Sequence, residues 1–290
     1  MLSIGLLVGE MGDDMLRTIL VGLSEAPEDN AAVRLGIDWA KRFDSLLVGV
    51  GVVNEPAIRG SVTHPREGGY LSHLQSQWLH EAQRRVEGQL EAFAKQCAEA
   101  QVACKLLEDV GVPWQEILRE AQRYDLVMLS QAGEFEGEVA SRSLYEVLRA
   151  CPRPLVVVPT ATAISGQGEV LIAYDGSIQA ARALHMFVAS GLNALGPVRV
   201  LAIHAESKVE AAKIADRAAQ YLDSHGIAAT VCPLQSAVSP SDVICEQAAA
   251  QPTQLLVMGA CGRSRLAEFF VGSVTTSLVE RCPVPLFLYH

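Results

Sequence analysis

Residues 255–273 read LLVMGACGRSRLAEFFVGS, and the architecture of the chain can be deduced from them. A short apolar strand, LLVMG, runs into a loop carrying Gly259 and Gly262 and enters a helix through Gly272 and Ser273, with further hydroxyls at Thr275 and Thr276. A loop that leaves a buried strand and opens a helix in this way presents backbone N–H groups to an anion, so it suits a phosphate. The pattern is neither a Walker A loop, since no GK[ST] follows, nor GxGxxG. The plainer alternative is a set of turn glycines with a Ser N-cap. Arg263 and Arg265 flank the loop and are placed either to touch phosphate or to face solvent.

The same order of elements occurs twice along the 290 residues. In the first copy, strands are expected at 18–24, 45–53, 102–109, 125–130 and 154–159. Helices are expected over 28–43, 71–99, from Pro113 and over 141–149, with a loop over 54–70. The linker TATAISGQGE (160–169) precedes the second copy. There, strands at 170–175, 198–206, 229–235, 254–259 and 284–290 alternate with helices of similar length. ACPRPLVVVP (150–159) answers RCPVPLFLY (281–289). Short, nearly all-apolar strands separated by helices imply parallel sheets covered on both faces. A ligand then sits beyond the carboxyl ends of the strands, where strand order reverses, which brings together the loops after Tyr174 and Met258.

Asp175 ends the strand VLIAYD. Its carboxylate suits ribose or base hydrogen bonds or a magnesium ion, and DGS also suits a turn and helix cap. His185, His204 and His225 have no partners at metal-ligand spacing, so neither a metal site nor a catalytic set is expected. Half of the residues are apolar and the net charge is −10. With no Lys/Arg cluster, an extended nucleic-acid surface is excluded. The apolar runs are strand length, well short of the about 20 residues of a membrane span. Seven cysteines (97, 104, 151, 232, 245, 261 and 282) form no CxxC pair; free thiols and a cytoplasmic location are expected. Residues 1–15 are read as an N-terminal extension, because LRTILVG after Met15 opens the first core strand.

The second half closely resembles the universal stress protein family. The nucleotide-binding members carry Gly, two residues, Gly, nine residues, then Gly and Ser or Thr; Gly259, Gly262, Gly272 and Ser273 match. VLIAYDGS and RCPVPLFLY also look like the family's first and last strands, and the resemblance covers about 16–290 as a tandem pair. It implies an α/β fold of two tandem Rossmann-like (adenine nucleotide alpha hydrolase-like) domains, 16–159 and 160–290. Each would be a parallel five-stranded sheet with helices on both faces. Carried over by motif, Gly259, Gly262, Gly272, Ser273, Val274 and Thr275 would hold phosphate and ribose, Asp175 would assist with adenosine, and Ala173 and Ile203 would border adenine.

The resemblance implies ATP, with or without Mg²⁺, as the ligand and a stress-response sensor or signalling protein as the function. Slow ATP hydrolysis would need Mg²⁺ and Asp175 to position phosphates, and efficient turnover is not expected. The alternatives are a nucleotide-free interaction scaffold and an adenylating enzyme of similar fold. The first half departs from the pattern: Ser24 replaces the carboxylate, Ser130 replaces the first loop glycine, and Ser141-Arg142 stand at the Gly-Ser position. Glu134, Glu136 and Glu138 would repel phosphate there, so this half is expected to be degenerate. Family members pair through their last strands, which implies an internal pseudo-dimer through PLVVVP and PLFLY and leaves a homodimer of the whole chain open.

Overall fold

The computed structural model describes residues 16–23, 30–60, 68–131, 140–160, 167–260 and 272–290. The first half runs β1 (Thr18–Gly22), α1 (Ala31–Phe43), β2 (Leu46–Val53), α2 (Glu55–Gly60), α3 (Gly68–Glu99), β3 (Cys104–Val110), α4 (Pro113–Ala121), β4 (Leu126–Ser130), α5 (Ala140–Ala150) and β5 (Leu155–Val158). The second runs β6 (Glu169–Ala173), α6 (Ile178–Ala189), a 3₁₀ turn (Leu192–Leu195), β7 (Val198–His204), α7 (Lys208–Ser224), β8 (Ala229–Gln235), α8 (Pro240–Ala250), β9 (Thr253–Gly259), α9 (Ser273–Arg281) and β10 (Leu286–Tyr289). The segment expected as a loop over 54–70 contains α2. Asn54 accepts the Ala57 N–H at 3.2 Å and so opens that helix, and Pro56 is compatible with a first turn.

The expected pair of separate five-stranded sheets is overturned. All ten strands form one mixed sheet in the order β3-β2-β1-β4-β5-β10-β9-β6-β7-β8. The join is antiparallel, with Leu286 opposite Val157, Phe287 opposite Val156 and Leu288 opposite Leu155. Every other pairing is parallel. Two isolated sheets would each have left a last strand with a row of open backbone donors and acceptors. Joining β5 to β10 satisfies both rows.

Alternation along the strands divides the core between the two faces of the sheet. Ile19, Val21 and Leu47 pack with Trp39, Phe43, Val86 and Phe93 on one face, where Leu184, Phe187 and Leu222 continue the layer in the second half. Leu20, Val48 and Val50 point the other way, toward Ile117, Val147, Ile244 and Leu278. Helices α1, α3, α6 and α7 therefore cover one face, and α4, α5, α8 and α9 the other. Close approach explains Gly49 and Gly51 in β2: a Cβ there would lie 2.8 Å from the Phe93 ring and 2.7 Å from Val86. Among the described residues no helix is long and apolar enough to cross a membrane.

Candidate functional site

In the second half strand order reverses between β6 and β9. Beyond the carboxyl ends of these strands and β7 lies a cavity of about 830 Å³, within the size range of small-molecule sites. Ala173, Asp175, Ile203, Gly259, Gly272, Ser273, Val274 and Thr275, named from the sequence, all line it. Gly262 and Arg263, with Cys261 and Arg265, lie outside the described residues.

One wall is apolar. Ala173 closes β6, Ile203 sits near the end of β7, and Ile244 of α8 and Met258 of β9 complete the surface. The opposing groups are polar. Asp175 Oδ1 accepts the Ser177 N–H at 2.9 Å, and Gly176 turns the chain at φ +75°, a conformation that favours glycine. Ser177 is the actual N-cap of α6, accepting the Ala180 N–H at 3.1 Å. Asp175 thus shapes the turn before the helix and also lines the cavity.

Gly259 has a packing role that the sequence did not reveal. A Cβ at this position would stand 2.5 Å from Ala180 N and 2.5 Å from the Gln179 carbonyl carbon. The first turn of α6 is seated directly on the end of β9, and only glycine permits that approach. The φ of Gly259 is not positive, so close contact, and not a left-handed backbone, is what calls for glycine here.

Helix α9 opens on the cavity. Its N-cap is Gly272, in extended conformation (φ −61°, ψ 148°), and not the serine. The Gly272 carbonyl accepts the Thr276 N–H at 3.0 Å, so the N–H groups of Ser273, Val274 and Thr275 precede the first intrahelical bond. A glycine cap has no side-chain oxygen to engage them. Thr275 is buried, whereas Ser273 is exposed. The helix therefore presents both its positive dipole end and open donors to the cavity.

Sequence reasoning set His204 aside, yet it lines the same cavity. Its Nδ1 accepts the N–H groups of Glu206 at 3.2 Å and Ser207 at 3.1 Å. Two donors to Nδ1 place the ring proton of a neutral imidazole on Nε2. Ser207 in turn caps α7 through the Glu210 N–H at 3.2 Å. The only sequence signal was adjacency to Ile203. Burial raises the phenol pKa of Tyr174, the neighbouring Asp175 carboxylate adds to this, and Arg217 opposes it. Among the described residues no group of three or more His, Cys, Asp or Glu is placed to hold a metal ion.

The first half aligns with the second through sheet register: Gly22 pairs with Val50 as Ala173 pairs with Leu201. That alignment puts buried Val53 in the place of His204. Pairing of Val21 with Met128, and of Ile172 with Val257, puts Ser130 in the place of Gly259. Asn30 caps α1 by accepting the Ala32 and Val33 N–H groups at 3.1 and 3.3 Å. Ser24, Gly133, Glu134, Glu136 and Glu138 lie outside the described residues.

The chain matches the model of the universal stress protein family over residues 15–159 and again over 168–290. It is 25% identical over 172 residues to a universal stress protein of Synechocystis sp., a match spanning 58% of each chain. A second universal stress protein, from Thermus aquaticus, is 30% identical over 133 residues, covering 41% of this chain and 96% of its own. The crystal structure of a universal stress protein from Archaeoglobus fulgidus superposes with a TM-score of 0.63 at 20% identity, covering 93% of this chain and 97% of that one. That likeness concerns the fold alone.

Proposed function

Because the chain belongs to the universal stress protein family, we propose that residues 160–290 bind one adenine nucleotide, ATP, and that occupancy of this site is the signal the protein carries in a stress response. The carrying observation is the glycine-capped start of α9, whose Ser273, Val274 and Thr275 N–H groups open on an 830 Å³ cavity at the strand-order reversal. Phosphate suits that helix terminus in charge and hydrogen bonding. Asp175 accepts ribose hydroxyls, and the base packs against Ala173 and Ile203. Gly262 and Arg263 complete the phosphate loop by motif. Magnesium, where present, arrives on the phosphate oxygens and neutralises part of their charge. Residues 16–159 form the partner domain, which departs from the nucleotide motif at Ser24, Ser130 and Ser141-Arg142 and serves structure.

Isothermal titration of ATP with Mg²⁺ into the full chain tests this reading. One site per chain is expected, with affinity reduced by at least about tenfold when Gly272→Val and Ser273→Ala are combined, the loss of about 1.4 kcal/mol or more. Circular dichroism establishes that the variant is folded. Absence of binding by folded protein shown to be free of carried-over ligand would overturn the proposal and favour a partner-binding scaffold.

A further inference from the structure

Joining β5 to β10 removes two sheet edges and leaves two others, β3 and β8, each with a neighbour on one side only. The two differ in what they offer a further strand. Leu47 donates to the Ala103 carbonyl at 3.0 Å, and Gly111 donates to the Val53 carbonyl at 3.0 Å. The N–H and C=O of one strand residue point to the same side and those of the next to the other. Lys105, Leu107 and Asp109 therefore bond toward β2, while Cys104, Leu106, Glu108 and Val110 turn their donors and acceptors outward. On β8 the Ser236 N–H bonds to the His204 carbonyl at 3.2 Å, which puts Pro233 in the outward row. Proline has no N–H to give, so that edge is blunted. The outward row of β3 is complete, and it carries Leu106 and Val110 at 43% and 50% exposure.

The side chains of β3 are unevenly charged along its length. Lys105 is exposed and has no ion-pair partner among the described residues. At the other end of the strand Asp109 joins Glu116 and Glu120 around Arg119 and Arg123, three carboxylates against two guanidiniums. Lys105 cannot supply the missing charge within its own chain, because four strand residues separate it from Asp109 by about 13 Å. An antiparallel second β3 would bring the two residues together.

We propose that β3 pairs antiparallel with β3 of a second copy of this chain, about a twofold axis through Leu107. Leu107 then faces its own counterpart, and Lys105 of each chain faces Asp109 of the other. Cys104 opposite Val110 and Leu106 opposite Glu108 exchange their outward N–H and C=O groups. Leu107 with Leu107 and Lys105 with Asp109 are the closer, non-hydrogen-bonded pairs, with Cα atoms about 4.5 Å apart. A register with Leu106 opposite itself would instead set Lys105 against Leu107 and lose both ion pairs, so charge selects between the two. A lone edge lysine repels a further strand; here the same strand supplies the matching acid at the mirrored position. The pairing is independent of the nucleotide reading, since the reversal between β6 and β9 lies in the other half of the sheet.

Sedimentation equilibrium of the full chain over a wide concentration range tests the pairing. A monomer–dimer equilibrium is expected. Its dissociation constant should rise about tenfold in Lys105→Glu, where two attractive cross-strand pairs become repulsive. The dimer should be lost in Glu108→Pro, which gives β3 the block that Pro233 gives β8 while leaving the bonds to β2 in place. Both positions are exposed, and circular dichroism establishes that each variant is folded. Leu107→Cys reads the register. On oxidation it should yield a disulfide-linked dimer absent from the parent, because facing Cα atoms about 4.5 Å apart are within bridging range. Leu106→Cys, diagonal to its counterpart at about 7 to 8 Å, should yield none. A parent chain that stays monomeric at every concentration would overturn the proposal. So would a dimer that Lys105→Glu and Glu108→Pro leave unchanged, or a link through Leu106→Cys in place of Leu107→Cys.

Discussion

Both halves lay down their strands in the same spatial sequence and meet edge to edge, yet they finish the carboxyl end of the sheet in different ways. In the second half only three residues, 174–176, separate β6 from the N-cap of α6. The short connection pulls the helix onto the end of β9, which must then be Gly259. In the first half seven residues, 23–29, separate β1 from the N-cap of α1, and Ser130 carries a side chain where Gly259 has none. A common strand order thus supplies a place for a site. What makes the second half the candidate is the short turn, the glycine contact and the glycine-capped α9.

The largest expected effect concerns the join between the halves. Phe287 is fully buried, and its strand lies between β5 and β9. Phe287→Ala should cost about 3 to 5 kcal/mol. All three tryptophans, Trp39, Trp78 and Trp114, belong to the first half, so fluorescence reports that half while far-UV circular dichroism reports both. A continuous sheet predicts that urea shifts both signals together in the variant. Retention of the original midpoint by fluorescence would show that the halves unfold separately despite sharing the sheet.

Next in size is the contrast between Gly259 and Ser130. Gly259→Ala sets a methyl group against the backbone of α6 and should destabilise the chain by about 3 kcal/mol, since backbone has to move. Ser130→Gly, its counterpart, should cost less than about 1 kcal/mol, the ordinary penalty of glycine in a strand. Urea denaturation of the two variants decides the matter. Equal costs would mean that the short turn after β6 does not hold α6 against β9 as tightly as the contact implies.

How much of this was legible beforehand follows the range of the interactions. The strands were visible because each is a short apolar run between breakers, and the repeat anchors RCPVPLFLY and ACPRPLVVVP marked the last strand of each half. Pairing between those strands was expected from family resemblance, but a single sheet was not, because hydrogen bonding between segments so distant in the chain leaves no periodic trace. Helix α2 was hidden by Pro56 and Gly60, which read as loop residues although Pro56 sits where a first turn tolerates it. Eight of the residues named for the ligand line one cavity, since a motif ties them to strand ends. The packing role of Gly259 depends on where α6 lands, and that of His204 on the N–H groups of Glu206 and Ser207. Neither could be read from residue spacing.

The finest comparison lies where the halves touch through side chains at α9. Gln131 donates to the Val279 carbonyl at 2.6 Å, and the Tyr145 hydroxyl donates to Glu280 Oε1 at 3.1 Å, so the far end of the helix that opens on the cavity is held by the first half. Burial first, and then the bond to Glu280, push the Tyr145 phenol up from 10.0 to about 12. A folded-state pKa above the unfolded value means that folding favours the protonated phenol. Its contribution is fully present below pH 10.0 and is lost as pH rises toward about 12. Partial solvent exposure keeps that contribution below about 1 kcal/mol. Tyr145→Phe should therefore be slightly less stable than the parent below pH 10.0, with the gap closing by about pH 12, while ATP affinity changes little. Urea titrations of both proteins across that window subtract the other titrating groups. A gap that stays constant would detach Tyr145 from Glu280 and leave Gln131 as the contact that carries α9 onto the first half.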